Sequence, residues 1–193
     1  MRGEIDANAD TVIQPSEVHP DLAGKADFVG VNYYLRAKTT GLGFSLSTTL
    51  PINFLPTISY RSPLNPSAPP CPAECTDIGW EIYPDGLRQE LELAGSYGLP
   101  VYITENGIAD ADDDQRPSYL LRHLAVLQQA IADGVADVRG YFHWSLIDNL
   151  EWTSGYFPKF GLFTYNHDSL VRTARPSAWL YRQIAHKNTL PSP

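Results

Sequence analysis

Three short runs rich in β-branched and aromatic residues, Asp27 to Tyr34, Leu99 to Glu105 and Val138 to Leu146, limit the fold most sharply. Each is bounded by glycine or charged residues, and the stretches between them are long enough to hold a helix. Apolar runs of this length without clean alternation read as strands covered on both faces, as parallel strands are. After Pro84-Asp85, Leu87, Leu91 and Ala94 recur at helical spacing, and the pattern stops at Gly98 before Pro100. A second helix is predicted from Pro117 to Asp133, with Leu120, Leu124, Leu127 and Ile131 as one stripe and Gly134 just past its end. A third is predicted from Pro176 to about His186, with Trp179, Leu180 and Ile184 facing inward. Strands alternating with helices put the chain in the α/β class with parallel pairing, because each crossover can carry a helix.

The 193 residues, 43 % of them hydrophobic, suffice for one sizeable core. A formal charge of -8 with no basic cluster argues against phosphate-backbone binding, so nucleic acid is excluded as a partner. No apolar run approaches the roughly 20 residues that cross a bilayer. The opening Met-Arg-Gly-Glu-Ile-Asp lacks a signal-peptide core, so a soluble, cytoplasmic protein without membrane association is expected. Cys71 and Cys75 lie in a proline-rich loop; their spacing permits a small bridge, but free thiols are the expectation, and two thiols do not make a zinc site. The prolines and serines from Lys38 to Thr76 read as one long loop after the first strand, either functional or a flexible insertion.

Residues 1–26 form an acidic leader, set apart from the unit at 27–193. Within it Asp6, Asn8, Asp10 and Glu17 fall at positions 1, 3, 5 and 12 of an EF-hand-like loop, so calcium enters as an alternative. Thr11 stands where the sharp turn wants glycine, Pro15 sits late in the loop, and no entering helix precedes it. A solvated acidic turn is therefore the expectation, and no cofactor is required.

Glu105 closes the apolar run Val101-Tyr-Ile-Thr, and Asn106-Gly107 turns the chain directly after it. A carboxylate at the end of a buried strand is held rigidly and aimed into a cleft, as attack on an anomeric carbon demands, although such a residue can also be an ordinary solvated cap. The surrounding motifs decide between these. Asp27-Phe-Val-Gly-Val-Asn-Tyr-Tyr34, Thr76-Asp-Ile-Gly-Trp-Glu-Ile-Tyr-Pro-Asp-Gly86, Tyr102-Ile-Thr-Glu-Asn-Gly107, Gly140-Tyr-Phe-His-Trp-Ser-Leu-Ile-Asp-Asn-Leu-Glu-Trp152 and Gly155-Tyr-Phe-Pro-Lys-Phe-Gly-Leu162 follow one another in that order. Over roughly residues 20 to 186 this resembles the C-terminal segment of a family 1 glycoside hydrolase, a β-glucosidase.

The resemblance implies a role for each matched position. Glu105 matches the nucleophile that forms a covalent glycosyl-enzyme, Tyr34 the phenol that hydrogen-bonds it, and Asn32 a residue near the sugar 2-hydroxyl. Trp144 matches the platform under the glycone ring, and Glu151 and Trp152 match the pair binding its outer hydroxyls. Trp80 resembles the aromatic residue on the aglycone side and Phe160 the one closing the glycone pocket. His143 is expected to point away from Trp144 as buried structure, and the run Asp110 to Asp114 to be a solvated loop. Because a carboxylate at Glu151 would repel a phosphate dianion, the expected substrates are unphosphorylated β-glucosides or related galactosides and fucosides.

Retaining hydrolysis takes two carboxyl groups about 5 Å apart. The family's acid/base lies in a Thr-x-Asn-Glu-Pro motif that this sequence does not contain. Three strands also cannot close an eight-stranded barrel, which normally takes about 250 residues. The chain therefore reads as a partial (β/α)8 TIM barrel, its last three β/α units, with a complementary N-terminal barrel fragment or self-association covering the open edges. A non-catalytic sugar-binding or assembly module is the competing reading.

Overall fold

The computed structural model describes residues 3–8, 10–42 and 54–191. In chain order the strands are β1 (Val29–Tyr33), β2 (Lys38–Gly41), β3 (Phe54–Thr57), β4 (Val101–Asn106), β5 (Val138–His143), β6 (Phe163–Tyr165) and β7 (Arg172–Ala174). The α-helices are α1 (Pro84–Gly95), α2 (Arg116–Ala132) and α3 (Pro176–Lys187). Strands β1, β4 and β5 form one parallel sheet with β4 in the middle, on the three runs the sequence marks as strands. Two antiparallel pairs, β2-β3 and β6-β7, add to them. The stretch from Lys38 to Thr76 is thus not one unbroken loop, although its residues 43–53 lie outside the described part.

Each α-helix opens on a proline in its first turn, where the missing N–H costs nothing. Gly134 follows α2 at φ 69°, the left-handed exit a side chain resists, and Asn188 ends α3 in the same region. Alternation along the strands then divides the sheet into two faces. Val31, Tyr33, Val101 and Ile103 pack under Leu87, Leu91, Leu124, Leu127 and Ile184 of the helices. Leu87, Leu91, Val101 and Ile103 are wholly buried, each contributing about 1.5–3 kcal/mol of hydrophobic stabilisation. The opposite face sets Gly30 against the Thr104 side chain and Gly140 against the Tyr102 ring, with Phe28 edge-on to Tyr102 at 5.3 Å. That face is open to solvent, leaving Phe28 52 % and Phe142 57 % exposed.

Two inward assignments are corrected. Trp179 is 61 % exposed, whereas Leu180 and Ile184 pack on the core. At about 100° per residue Trp179 lies roughly a quarter-turn or more from both, outside the narrow stripe of α3 that meets the sheet. Ile131 is likewise exposed at the end of its stripe, and Leu120 buries in a separate cluster with Leu162 and Ala178. The cysteines are also corrected: Cys71 and Cys75 form a disulfide. Among the described residues no helix is long and apolar enough to cross a membrane.

Two histidines inside this fold tie its stability to pH. The His123 ring stacks on Tyr119 and its Nδ1 donates to the Tyr119 carbonyl at 2.9 Å, leaving a buried Nε2 without a partner. Burial pushes its pKa down to about 4. Both ring nitrogens of His143 are buried without partners, its ring 5.9 Å from that of Tyr181, and burial aided by the nearby Arg116 charge pushes that pKa down to about 3. Unfolded, each ring takes a proton near pH 6.5; folded, neither does so until pH falls to about 4 or 3. The stability of the neutral rings is therefore complete above pH 6.5 and is lost as pH falls through that window. Urea unfolding at pH 7 and pH 5 should show a loss of about 2 kcal/mol per histidine, with the difference clearly smaller in His123→Leu. A pH-independent unfolding free energy would contradict the assignment.

Candidate active site

The parallel strands end on one side of the sheet, and the segments leaving those ends assemble a half-buried aromatic pocket. Register is interrupted between Val31 and Asn32 on β1, so that Asn32 lies beside Glu105 and Tyr33 beside Asn106. Just beyond β1, the Tyr34 hydroxyl donates to Glu105 Oε2 at 2.6 Å. Burial raises the Tyr34 pKa far above the ordinary phenol value and the Glu105 hydrogen bond raises it further, so the phenol stays a donor. Asn32 lies on the open face, its Oδ1 accepting from Thr104 Oγ1 at 2.6 Å.

Rings close around this pair. Tyr34 meets Trp80 edge-on at 5.7 Å and Phe160 at 5.9 Å, and Trp80 lies 5.9 Å from Phe160. Trp144 packs against the same cluster, which also includes buried Ile78 and Ala109. The Trp144 indole donates to Glu151 Oε1 at 3.2 Å. Burial raises the Glu151 pKa above the usual carboxylate range, the indole bond opposes this, and the negative charge of Glu105 adds to the rise. Trp144 reaches its position through its N–H, which donates to Asn106 O at 2.9 Å, and through Gly107. A Cβ on Gly107 would lie 1.8 Å from the Trp144 carbonyl oxygen, so only glycine lets the turn after Glu105 approach so closely. Trp152 stands apart, 88 % exposed in a 3-10 turn (Trp152–Ser154) beyond Glu151.

The loops behind the pocket are pinned by an ionic network that the sequence does not announce. Asp110 and Asp113 are buried, correcting the expectation of a solvated loop. Asp110 Oδ2 accepts the Arg116 and Gln115 N–H groups at 2.7 and 3.1 Å, at the start of α2. Asp113 pairs with the wholly buried Arg116 and also accepts the Ser177 N–H and hydroxyl at 2.8 and 2.7 Å. Arg116 reaches on to the Lys159 carbonyl at 2.8 Å, next to Phe160. Arg175 clamps both oxygens of Asp148 at 3.1 Å and donates to Gly161 O at 2.6 Å. The network thus fixes the segments carrying Glu151 and Phe160 against the turn that follows Glu105.

Asp110, Asp112 and Asp114 bring carboxylate oxygens within 4.8 Å of one another, the one such acidic group among the described residues. In the leader, Asp6 accepts the Asp10 and Thr11 N–H groups, Asn8 Oδ1 that of Asp10, Asp10 that of Val12, and Glu17 those of Ala7 and Gln14. Those oxygens satisfy the turn's own backbone.

The family model for glycosyl hydrolase family 1 matches residues 4–190. The chain belongs to that family. The β-galactosidase of Sulfolobus acidocaldarius is 40 % identical over 192 residues, 99 % of this chain and 36 % of its own length. A solved β-glucosidase of Pyrococcus furiosus superposes with a TM-score of 0.73 at 39 % identity, over 87 % of this chain and 34 % of that one. A 6-phospho-β-galactosidase of Streptococcus mutans is 41 % identical over 122 residues, 57 % of this chain and 26 % of its own. The chain spans about a third of the length of the relatives it matches. The three β/α units are accordingly consistent with part of a family 1 barrel.

Removing the Asp113 carboxylate would strand a buried guanidinium. Asp113→Ala is expected to cost about 3–5 kcal/mol in urea unfolding at pH 7. A loss below about 1 kcal/mol would show that Arg116 finds other partners.

Proposed function

We propose that this chain supplies the nucleophile and most of the sugar pocket of a retaining β-glycosidase, acting on unphosphorylated β-glucosides or related galactosides and fucosides. The observation that carries the reading is the 2.6 Å hydrogen bond from Tyr34 to Glu105, at the strand ends and under a wall of rings. Glu105 Oε attacks the anomeric carbon, the aglycone leaves, and the resulting glycosyl ester is later cleaved by water. Donation from Tyr34 orients the carboxylate. Trp144 offers an indole face to the apolar side of a pyranose, while Glu151 takes its outer hydroxyls, Asn32 its 2-hydroxyl side, and Trp80 and Phe160 the walls. The carboxylate of Glu151 disfavours a phosphate dianion at the same place, which separates this chain's substrates from those of the phospho-galactosidase relative.

In this reading the chain provides the last three units of the barrel. The acid/base carboxyl comes from a complementary N-terminal portion, whose strands would also pair the free edges of β1 and β5 and cover Phe28 and Phe142. A second reading, a sugar-binding module without turnover, rests on the same wall of rings and on the Trp144–Glu151 contact.

An aryl β-glucoside with a very good leaving group separates the two, since its departure depends little on general acid. The purified chain should release a burst or slow stream of phenol that disappears in Glu105→Gln. Glucose binding without any phenol release, in a folded sample, would favour the binding module. For the leader, the self-satisfied turn leads us to expect no calcium-dependent change in melting temperature. A rise with calcium that Asp6→Ala removes would instead make it a calcium loop.

A further inference from the structure

The disulfide between Cys71 and Cys75 plays no part in the chemistry above, yet it heads the segment that carries Trp80. Cys75 bridges Glu81 in antiparallel fashion; beside that bridge Ile82 N donates to Glu74 O at 2.9 Å and Thr76 N to Trp80 O at 2.9 Å. Thr76 Oγ1 accepts the Trp80 and Ile78 N–H groups at 3.2 and 3.4 Å. At the tip, Gly79 takes φ 79° and its carbonyl accepts from Tyr60 N at 2.7 Å. Residues 74–82 therefore make a small hairpin whose stem starts at the disulfide and whose far strand presents Trp80 to Tyr34 and Phe160. The hairpin also touches the turn after Glu105, through Asp77 N to Ala109 O at 3.0 Å and Ala111 N to Asp77 Oδ2 at 2.8 Å.

What else holds the stem is uneven. Arg36 pairs with the buried Glu81 at 2.6 Å on the far strand and Asp77 ties the tip to the turn after Glu105, but at the start of the near strand the ion pair of Glu74 with Arg122 is exposed on both sides and of little energetic consequence. The disulfide is thus the covalent constraint at the start of the near strand, ahead of the hydrogen bonds of Thr76 and Asp77. Both cysteines are half-buried, within reach of a small thiol.

We propose that Cys71–Cys75 is a redox-sensitive lock on Trp80: closed, it fixes the hairpin and the aromatic wall; opened, the wall loosens while the Tyr34–Glu105 pair is kept. The wall's part in aglycone recognition rests on the functional reading above; the lock does not. Opening is a two-electron exchange with a dithiol. One thiolate of the dithiol attacks a protein sulfur, the Cys71–Cys75 bond breaks, and a mixed disulfide forms. The second thiolate of the dithiol then displaces the protein sulfur, the reagent leaves as a cyclic disulfide, and its two protons end on the Cys71 and Cys75 thiols.

Amide hydrogen exchange on the full chain tests the lock with and without dithiothreitol, and in Cys71→Ser/Cys75→Ser. The Ile78, Trp80 and Ile82 amides should exchange about tenfold faster when the disulfide is open, and those of Ile103 and Leu124 by less than about twofold. Unchanged exchange in a sample with two titratable thiols would overturn the lock, as would equal acceleration of the Ile103 and Leu124 amides. In parallel, an uncleavable aryl β-thioglucoside should bind about fivefold more weakly on reduction while free glucose binds as before. Faster exchange with neither sugar bound in either state would keep the lock and count against the glycosidase reading. Faster exchange with aryl binding unaltered would remove Trp80 from aglycone recognition.

Discussion

The side-chain amide of Asn106 is the point on which the rest of the site hangs. It is wholly buried, donates to the Tyr33 carbonyl at 2.7 Å and the Tyr119 hydroxyl at 2.8 Å, and accepts from the Tyr141 hydroxyl at 2.8 Å. One residue thereby ties β1, β5 and α2 to the end of β4. Buried polar groups left unpaired are costly, so this arrangement permits only one relative placement of the three strand ends. Glu105 is its immediate neighbour in sequence and points to the other side of the strand, so the fixing of Asn106 is also the fixing of the carboxylate.

Around this anchor the molecule divides its work between two sides of the sheet. The helix side is apolar and closed, with tyrosines and His123 tucked among the aliphatic residues. The pocket is built instead from rings held by ion pairs behind them. Arg116 and Arg175 each span two loops, so charges that are costly to bury are compensated by several hydrogen bonds apiece. Rigidity in the pocket thus comes from polar contacts, and rigidity in the sheet from packing.

The elements legible in the sequence were those with a local cause. Three apolar runs marked β1, β4 and β5, and proline with helical spacing marked α1, α2 and α3 to within a few residues. The β2-β3 pair was not legible because Lys38-Thr-Thr-Gly is exposed throughout and has no apolar alternation to betray it. Nor could the burial of Asp113 be read locally, since it depends on Ser177, 64 residues away. The pocket itself was legible only as ordered motifs. Those motifs named Tyr34, Trp80, Phe160 and Trp144 together, but gave no sign that Trp152 would stand clear of them.

The Tyr34–Glu105 bond joins residues 71 apart, across a crossover that includes two hairpins and a helix. Local pieces such as α2 and the 74–82 hairpin can form on the microsecond scale, whereas parallel pairing over so long a separation must first meet the entropy of closing the intervening chain. The pocket is therefore a late product of folding. A chain still on the ribosome could hold finished helices and hairpins and yet have no site, because the carboxylate and the phenol that orients it leave the exit tunnel at well-separated times.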